Sequence, residues 1–303
     1  MARNAPDNSY IIETSFQDSI SDLQFSPNER YLAATSWDGI IQAWKFNEQY
    51  LSPESIYQYS PTTITSQAKQ GYLRCCFEDP GSHLFWSTTQ GEVFNVDLNL
   101  PTSQNPSRNY TSNFPIIGLK WCKDESCLII LTNNGNANPT TRGTLIIYYS
   151  DDNQIEIQLD SKPINLAVHG KTILVATLGP VILKFEIPQA RAANTRGTKV
   201  NSLLKEQILS IAISPANPSL CLITSILGEL EINDYKSTSP KSRIIPCHRN
   251  EKDASIYCVN CVAVHPTQAA AITAGGDGYI TFFNLEKERP GRVFQLCNLQ
   301  LTA

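Results

Sequence analysis

The stretch that decides the fold runs from residue 20 to residue 46: Ile20-Ser-Asp-Leu-Gln-Phe25, Ser26-Pro27, Tyr31-Leu-Ala-Ala-Thr-Ser36, Trp37-Asp38-Gly39 and Ile40-Ile-Gln-Ala-Trp-Lys-Phe46. Three runs rich in β-formers are punctuated by a Ser-Pro turn and an Asp-Gly turn, which reads as three consecutive strands. Asp and Gly tolerate the positive φ of a tight hairpin, so the second and third strands are joined without splaying. A second good copy has the same order: Tyr257-Cys-Val-Asn-Cys-Val-Ala-Val264, His265-Pro266, Ala269 to Ala274, Gly275-Gly-Asp-Gly278 and Tyr279-Ile-Thr-Phe-Phe283.

Four weaker copies lie between them. Leu73 to Phe77 leads to Gln90-Gly91 and Val93 to Val96, and Ile116 to Trp121 leads to Leu128 to Leu131 and Thr144 to Tyr148. Ile164 to Val168 leads to Gly179 and Val181 to Phe185, and Ile208 to Ile213 leads to Gly228 and Leu230 to Ile232. The turn glycines Gly39, Gly91, Gly143, Gly179, Gly228 and Gly278 are 52, 52, 36, 49 and 50 residues apart. Helical periodicity is scarce. A repeat near 40–50 residues with three or four strands per unit predicts an all-β propeller, a single domain over residues 1–303. A β-sandwich shares the short turn spacing but not the longer period. Tyr10 to Thr14 and Val293 to Leu301 read as the outer and inner strands of a seventh blade. Seven blades are therefore expected, the last incomplete unless a partner or tail closes it.

Composition narrows the class. The chain has 303 residues, 41% hydrophobic and 17% charged, with 24 basic and 28 acidic side chains for a net charge of −4. That is ample for a core and excludes a globally basic nucleic-acid coat. The longest apolar runs hold four or five residues, so no membrane insertion is expected, and Met1 to Asp7 leads into no secretory signal. Nine cysteines without framework spacing fit reduced thiols in the cytosol or nucleus.

The Ser-Trp-Asp-Gly at 36–39 and the Ala-Gly-Gly-Asp-Gly at 274–278 resemble WD repeats. Further strings point to one branch: Asp18 to Pro27 with Leu32 to Gly39, then Pro246-Cys-His-Arg249, Ile256-Tyr-Cys-Val-Asn260 and Ala263-Val-His-Pro266. These resemble the propellers that bind the GLEBS peptide motif, the branch of the nuclear-pore mRNA export factor and its spindle-checkpoint relative. Blades two and three depart from that pattern, with Gln90-Gly91 and Tyr148-Tyr149-Ser150 in place of Trp-Asp endings, and blade three carries an inserted loop from Asn133 to Arg142. In blade five the family has Ile-Glu-Gly-Arg where this chain reads Ile226-Leu227-Gly228-Glu229, so an acid has become apolar and a base acidic.

The resemblance implies a non-enzymatic scaffold of the nuclear pore in mRNA export, nuclear or at the nuclear envelope and able to shuttle, docking an acidic GLEBS peptide of a nucleoporin. A checkpoint propeller binding kinases and an RNA-binding propeller are the alternatives. It further implies that Arg249 pairs with acidic side chains of the peptide, a role suited to a guanidinium; a solvated Arg beside Glu251 and Asp253 is the plain alternative. His248 accompanies it as a partner-contact candidate, though packing or backbone bonding is the favoured role. Trp37 reads either as an exposed anchor or as core packing. Tyr257 stands evenly between contact and packing. Asp38 is expected to bond turn amides.

Other chemistry finds little support. Cys258-Val-Asn-Cys261 has metal or redox spacing, but thiols three apart on a strand point to opposite faces, and Cys75-Cys76 reads as strand filling. Only His83, His169, His248 and His265 are present, with no nucleophile grouping and no phosphate-cradling loop. Neither enzyme, cofactor, metal nor small-molecule substrate is expected. Two basic groups, Arg191, Arg196, Lys199 and Lys205, and Lys236, Lys241, Arg243, Arg249 and Lys252, read as solvated loops or as a local patch for RNA phosphates.

Overall fold

The structure, a computed structural model, describes residues 3–4, 12–46, 53–59, 70–100, 105–135, 142–187, 197–237, 242–250, 253–287 and 289–295. Among them there is no helix; the described chain forms six sheets built on antiparallel meanders of four strands taken in sequence order, the last with a short parallel strand added at its edge, and one two-stranded ribbon. The six sheets are the blades of a β-propeller, and they fall into two compact units, Tyr10–Asp160 and Met1–Ser9 with Ser161–Ala303.

The unit Tyr10–Asp160 holds three sheets. The first comprises Ile20–Phe25, Tyr31–Ser36, Ile41–Phe46 and Pro53–Tyr59; the second Tyr72–Phe77, His83–Thr88, Glu92–Asp97 and Ser107–Thr111; the third Ile116–Cys122, Cys127–Asn133, Gly143–Ser150 and Asn153–Leu159. Its core lies in layers between neighbouring sheets. Ala33, Ile41, Ala43 and Tyr57 of the first sheet pack with Tyr72, Leu84 and Trp86 of the second. Phe85 and Val93 of the second meet Ile116, Leu119 and Ile130 of the third. Second strands are covered on both faces, so every residue of Tyr31–Ser36 is buried. Burial on both faces explains why that run reads as continuously apolar or small rather than alternating. The outer face of the first sheet is closed by Phe16, which packs edge-on against Trp44.

The second unit is built likewise from Pro163–His169, Thr172–Thr177, Val181–Glu186 and Thr198–Val200; then Ile208–Ile213, Leu220–Ser225, Glu229–Asp234 and Arg243–Pro246; then Val259–Val264, Ala270–Gly275, Tyr279–Asn284 and Arg289–Gln295. Leu174, Ala176 and Ile182 pack on Ile208, Ile211 and Ile223, and Leu222, Leu230 and Ile245 pack on Val259, Val262 and Phe283. A buried carboxyl group is satisfied here by neutral donors. Glu231 accepts hydrogen bonds from Ser202 Oγ at 2.5 Å, Leu203 N–H at 3.1 Å and Asn233 Nδ2 at 2.8 Å, which ties the loop before Ile208–Ile213 to its own sheet.

One irregularity recurs in all six inner strands. The register slips between Ile20 and Asp22, Tyr72 and Arg74, Ile116 and Gly118, Pro163 and Asn165, Ile208 and Ser210, and Val259 and Cys261. Each slip is a one-residue bulge. Two of the bulges bond the neighbouring sheet: the extra residue Ser21 donates from Oγ to the Tyr72 carbonyl at 2.6 Å, and the carbonyl of the extra residue Leu209 accepts from Asn165 Nδ2 at 3.3 Å.

Three expectations are corrected. Gly143 is not a turn glycine; it opens a strand in register with Asn133, because the inserted loop carries the reversal in that blade. Val293 to Gln295 belong to Arg289–Gln295, which pairs with Tyr279–Asn284 as the outer strand of the sixth sheet, not the inner strand of another. Ile12 to Thr14 lie outside any strand, while Tyr10 and Ile11, like Leu296 to Leu301, lie outside the described residues. The N-terminal pairing falls instead to Arg3–Asn4, added parallel to Arg289–Gln295.

Candidate functional site

The site begins where the fifth sheet ends. After Arg243–Pro246 the chain enters Cys247 and His248, and then a two-residue ribbon in which Arg249–Asn250 pairs with Ser255–Ile256. Arg249 stands opposite Ile256 and Asn250 opposite Ser255. Asp253 holds the ribbon's tip, accepting from Ser255 N–H at 3.0 Å and from Asn250 Nδ2 at 2.9 Å. The Ser255 bonds, seconded by Asn250, hold its carboxyl below the usual range.

His248 is the internal anchor. Its side chain is 0% exposed, with Nδ1 2.8 Å from Asp277 Oδ1 and Nε2 2.8 Å from Thr273 Oγ1. Asp277 Oδ1 also accepts from Tyr279 N–H at 3.1 Å. The imidazole lies against Gly275, where a Cβ would sit 2.4 Å from Nδ1, so only glycine leaves room for the ring. His248 thus fastens the incoming loop to the second strand and tight turn of the sixth sheet, and its ring presents nothing to a partner.

Arg249 faces outward. Its side chain is 38% exposed, Nη2 donates to the Leu227 carbonyl at 3.2 Å, and the same nitrogen lies 3.9 Å from Glu229 Oε1. The guanidinium therefore rests over the turn Ser225–Glu229 between the second and third strands of the fifth sheet. Burial pushes the Cys247 thiol up to about 12, with the Arg249 cation opposing it. Around the guanidinium stand three aliphatic side chains, Ile226, Leu227 and Ile256, each 41–50% exposed. Ile256 stands opposite Arg249 in the ribbon and lies against the turn that carries the other two: a Cβ on Gly228 would lie 3.1 Å from Ile256 Cγ2. Tyr257 is half-buried, and its N–H donates to the His248 carbonyl at 3.0 Å. An exposed arginine rimmed by aliphatics is the composition of an interaction surface, since a cation offers direction and the apolar rim offers area.

The structure brings His248, Arg249 and Tyr257 together. Trp37 belongs to the other unit, in the corresponding turn of the first sheet. It is 49% exposed, with its ring edge against Gly71, and so is a surface aromatic rather than a core one. Asp38 bonds turn and flanking amides, accepting from Ile40 N–H at 3.0 Å and Gln17 N–H at 2.6 Å. Sequence reasoning missed the aliphatic rim. The signal was present: two apolar residues immediately before a turn glycine, where turns ordinarily carry polar side chains.

Elsewhere, Cys258 Sγ lies 3.0 Å from Asn260 Oδ1, and Cys261 is exposed. No group of three His, Cys, Asp or Glu among the described residues could hold a metal, and no helix among them is long and apolar enough to cross a membrane. Of the basic groups, Arg191, Arg196, Lys241 and Lys252 lie outside the described residues, as does Glu251. Lys184 and Lys236 each lie over the Tyr235 ring, at 5.8 and 5.7 Å from its centroid. Lys184, Lys199 and Tyr235 line a cavity of about 330 Å³ with Glu186, whose Oε1 lies 3.0 Å from Lys184 Nζ.

Comparison with known proteins agrees with this architecture. Residues 6–45 match the family described as WD domain, G-beta repeat. Protein Rae1 of Drosophila melanogaster is 24% identical over 289 residues, covering 91% of this chain and 78% of that protein. Protein RAE1 of Arabidopsis thaliana is 26% identical over 298 residues, covering 98% and 80%. mRNA export factor rae-1 of Caenorhabditis elegans is 24% identical, covering 91% and 74%. Among solved structures, the WD40 β-propeller domain of Doa1 superposes with a TM-score of 0.69 over 93% of this chain and 84% of that one, at 13% identity, a likeness of fold alone. The chain is a WD-repeat β-propeller, similar over most of its length to proteins named Rae1 and mRNA export factor.

Proposed function

We propose that this chain is a non-enzymatic docking scaffold of nuclear mRNA export, a single propeller domain over residues 1–303 that acts at the nuclear pore. In this reading an acidic GLEBS-type segment of a nucleoporin lies against the ribbon 249–256, one carboxylate meeting Arg249 while apolar side chains cover Ile226, Leu227 and Ile256. Tyr257 is a further contact, His248 holds the ribbon from within, and Trp37 of the other unit is proposed as a partner contact in its own right. The observation that carries the reading is the half-exposed Arg249 set among exposed aliphatics; the names of the relatives supply the process. No bond is made or broken. Titration calorimetry of a nucleoporin GLEBS peptide against the wild type and Arg249→Glu tests it. Binding to the wild type that is lost in the variant supports the assignment; equal affinities, or none for either, overturn it. A kinase-derived GLEBS peptide preferred over the nucleoporin one would transfer the same surface to a checkpoint role.

A second reading, RNA contact, is favoured by one observation. Lys236 lies over the Tyr235 ring and Lys199 stands at the cavity that Tyr235 and Lys184 line, so one member of each basic group meets at this tyrosine. Polyanion binding there would weaken steeply with salt. A single-stranded RNA whose affinity is unchanged by Lys199→Glu with Lys236→Glu would remove it.

A further inference from the structure

We infer that Glu229 is a specificity-determining residue that competes, within the chain, for the cation a docking carboxylate would use; the inference rests on the docking reading above. Four interactions close a circuit around the guanidinium. Arg249 Nη2 donates to the Leu227 carbonyl at 3.2 Å, and Leu227 N–H donates to Ser225 Oγ at 3.3 Å. Ser225 Oγ in turn donates to Glu229 Oε2 at 3.1 Å, and Glu229 Oε1 returns to Arg249 Nη2 at 3.9 Å. Ser225 is buried, so its hydroxyl fixes which way the Glu229 carboxylate points. One edge of the guanidinium is therefore already occupied by a carbonyl and offset by a carboxylate of this chain.

Two consequences define the partner. An incoming acid meets a partly neutralised cation and must take the edge of the guanidinium that faces solvent. The remaining contact area around it is aliphatic rather than charged, from Ile226, Leu227 and Ile256. The surface thus fits a segment with one carboxylate beside apolar side chains, and it discriminates against segments whose attraction is chiefly a run of acids. Glu229 sets that balance because it is the acid the guanidinium already faces. At 3.9 Å, with both side chains partly exposed, the pair is of the modest kind.

The test is the affinity of the nucleoporin GLEBS peptide for the full chain carrying Glu229→Gln, measured by calorimetry at low and at physiological salt. Removing the competing charge, while keeping an acceptor for Ser225, should tighten binding about two- to fivefold and steepen its salt dependence. Glu229→Ala, which also removes the Ser225 bond, separates competition from shape. Tighter binding in both variants supports the inference. Unchanged or weaker binding in Glu229→Gln overturns it, as does weakening confined to Glu229→Ala, which would make Glu229 a residue that only shapes the turn. If Arg249→Glu abolishes binding while Glu229→Gln changes nothing, the docking reading survives and this inference does not. If the wild type and all variants fail to bind the peptide, both fall.

Discussion

Replacing His248 by alanine is the sharpest test of how the Arg249 ribbon is held. The ring makes two hydrogen bonds at 2.8 Å, one to a carboxylate and one to a buried hydroxyl. A bond to a charged group contributes about 1.5–3 kcal/mol, and one between neutral groups about 0.5–1.5 kcal/mol. Truncation also leaves a ring-sized void above Gly275, and large-to-alanine changes in cores cost about 2–5 kcal/mol. These contributions overlap, and Asp277 keeps the Tyr279 N–H. We expect a net loss of about 3–5 kcal/mol. His248 has a φ of +51°, and alanine inherits that left-handed backbone, so the loss reports on the ring and not on relief of strain. The assay is urea unfolding followed by far-UV circular dichroism. Tryptophan emission alone is a poor choice, because Trp37, Trp44, Trp86 and Trp121 all lie in the unit Tyr10–Asp160. A double-mutant cycle with Asp277→Ala isolates the pair, with an expected coupling of about 1–3 kcal/mol. A single-variant loss below about 1 kcal/mol, or strict additivity in the cycle, would refute the claim that His248 acts as an anchor.

Two further outcomes are expected. Gly228 and Gly179 both have positive φ, +64° and +81°, but a Cβ on Gly228 would lie 2.7 Å from the Cys247 carbonyl and 2.9 Å from that of Tyr257, whereas one on Gly179 meets nothing within 4 Å. Gly179→Ala should therefore cost only the left-handed backbone term, about 1–2 kcal/mol, and Gly228→Ala clearly more; equal falls in melting temperature would show that the close approach is irrelevant. Stability should also fall in alkali. Burial pushes the Cys76 thiol up to about 12 and the Tyr57 and Tyr72 phenols well above their ordinary value. Their neutral forms are favoured by folding, so this contribution is complete below the unfolded-state values, near pH 9 for the thiol and pH 10 for the phenols, and is lost as pH rises through the folded ones. Melting temperature should hold to about pH 9 and decline above it, less steeply in Tyr72→Phe.

Much of the blade pattern was legible because it is written locally. Residues 20–46 carry their own turns, and strands such as Thr172–Thr177 announce themselves as apolar runs. What failed was information that is not local. Gly143 reads as a turn residue because spacing alone cannot tell a hairpin from an inserted loop ending at a strand. The segment Val293 to Gln295 was recognisable as β, but alternation does not reveal which sheet an end strand joins. The same limit applied to the site. The string Cys247-His248-Arg249 pointed to the right loop, yet nothing local says that His248 turns inward to Asp277, 29 residues away, while Arg249 turns outward. Exposure of Ile226, Leu227 and Ile256 depends on register between a turn and a ribbon, which a linear pattern does not carry.

The repeated bulge has a consequence for how such chains change over time. A bulge at the same place in every inner strand sets the phase of each blade, determining which side chains of that strand point toward the preceding sheet and which toward the following one. Motif residues can then be replaced freely, as at Gln90-Gly91 and Tyr148-Tyr149, without moving any neighbour out of step. A deletion of one residue in the regular part of a strand, at Leu23 or Ile211, would instead slip the register and turn the residues on one side of it to the opposite face. Divergence in this architecture is thus permissive toward substitution and intolerant of miscounting.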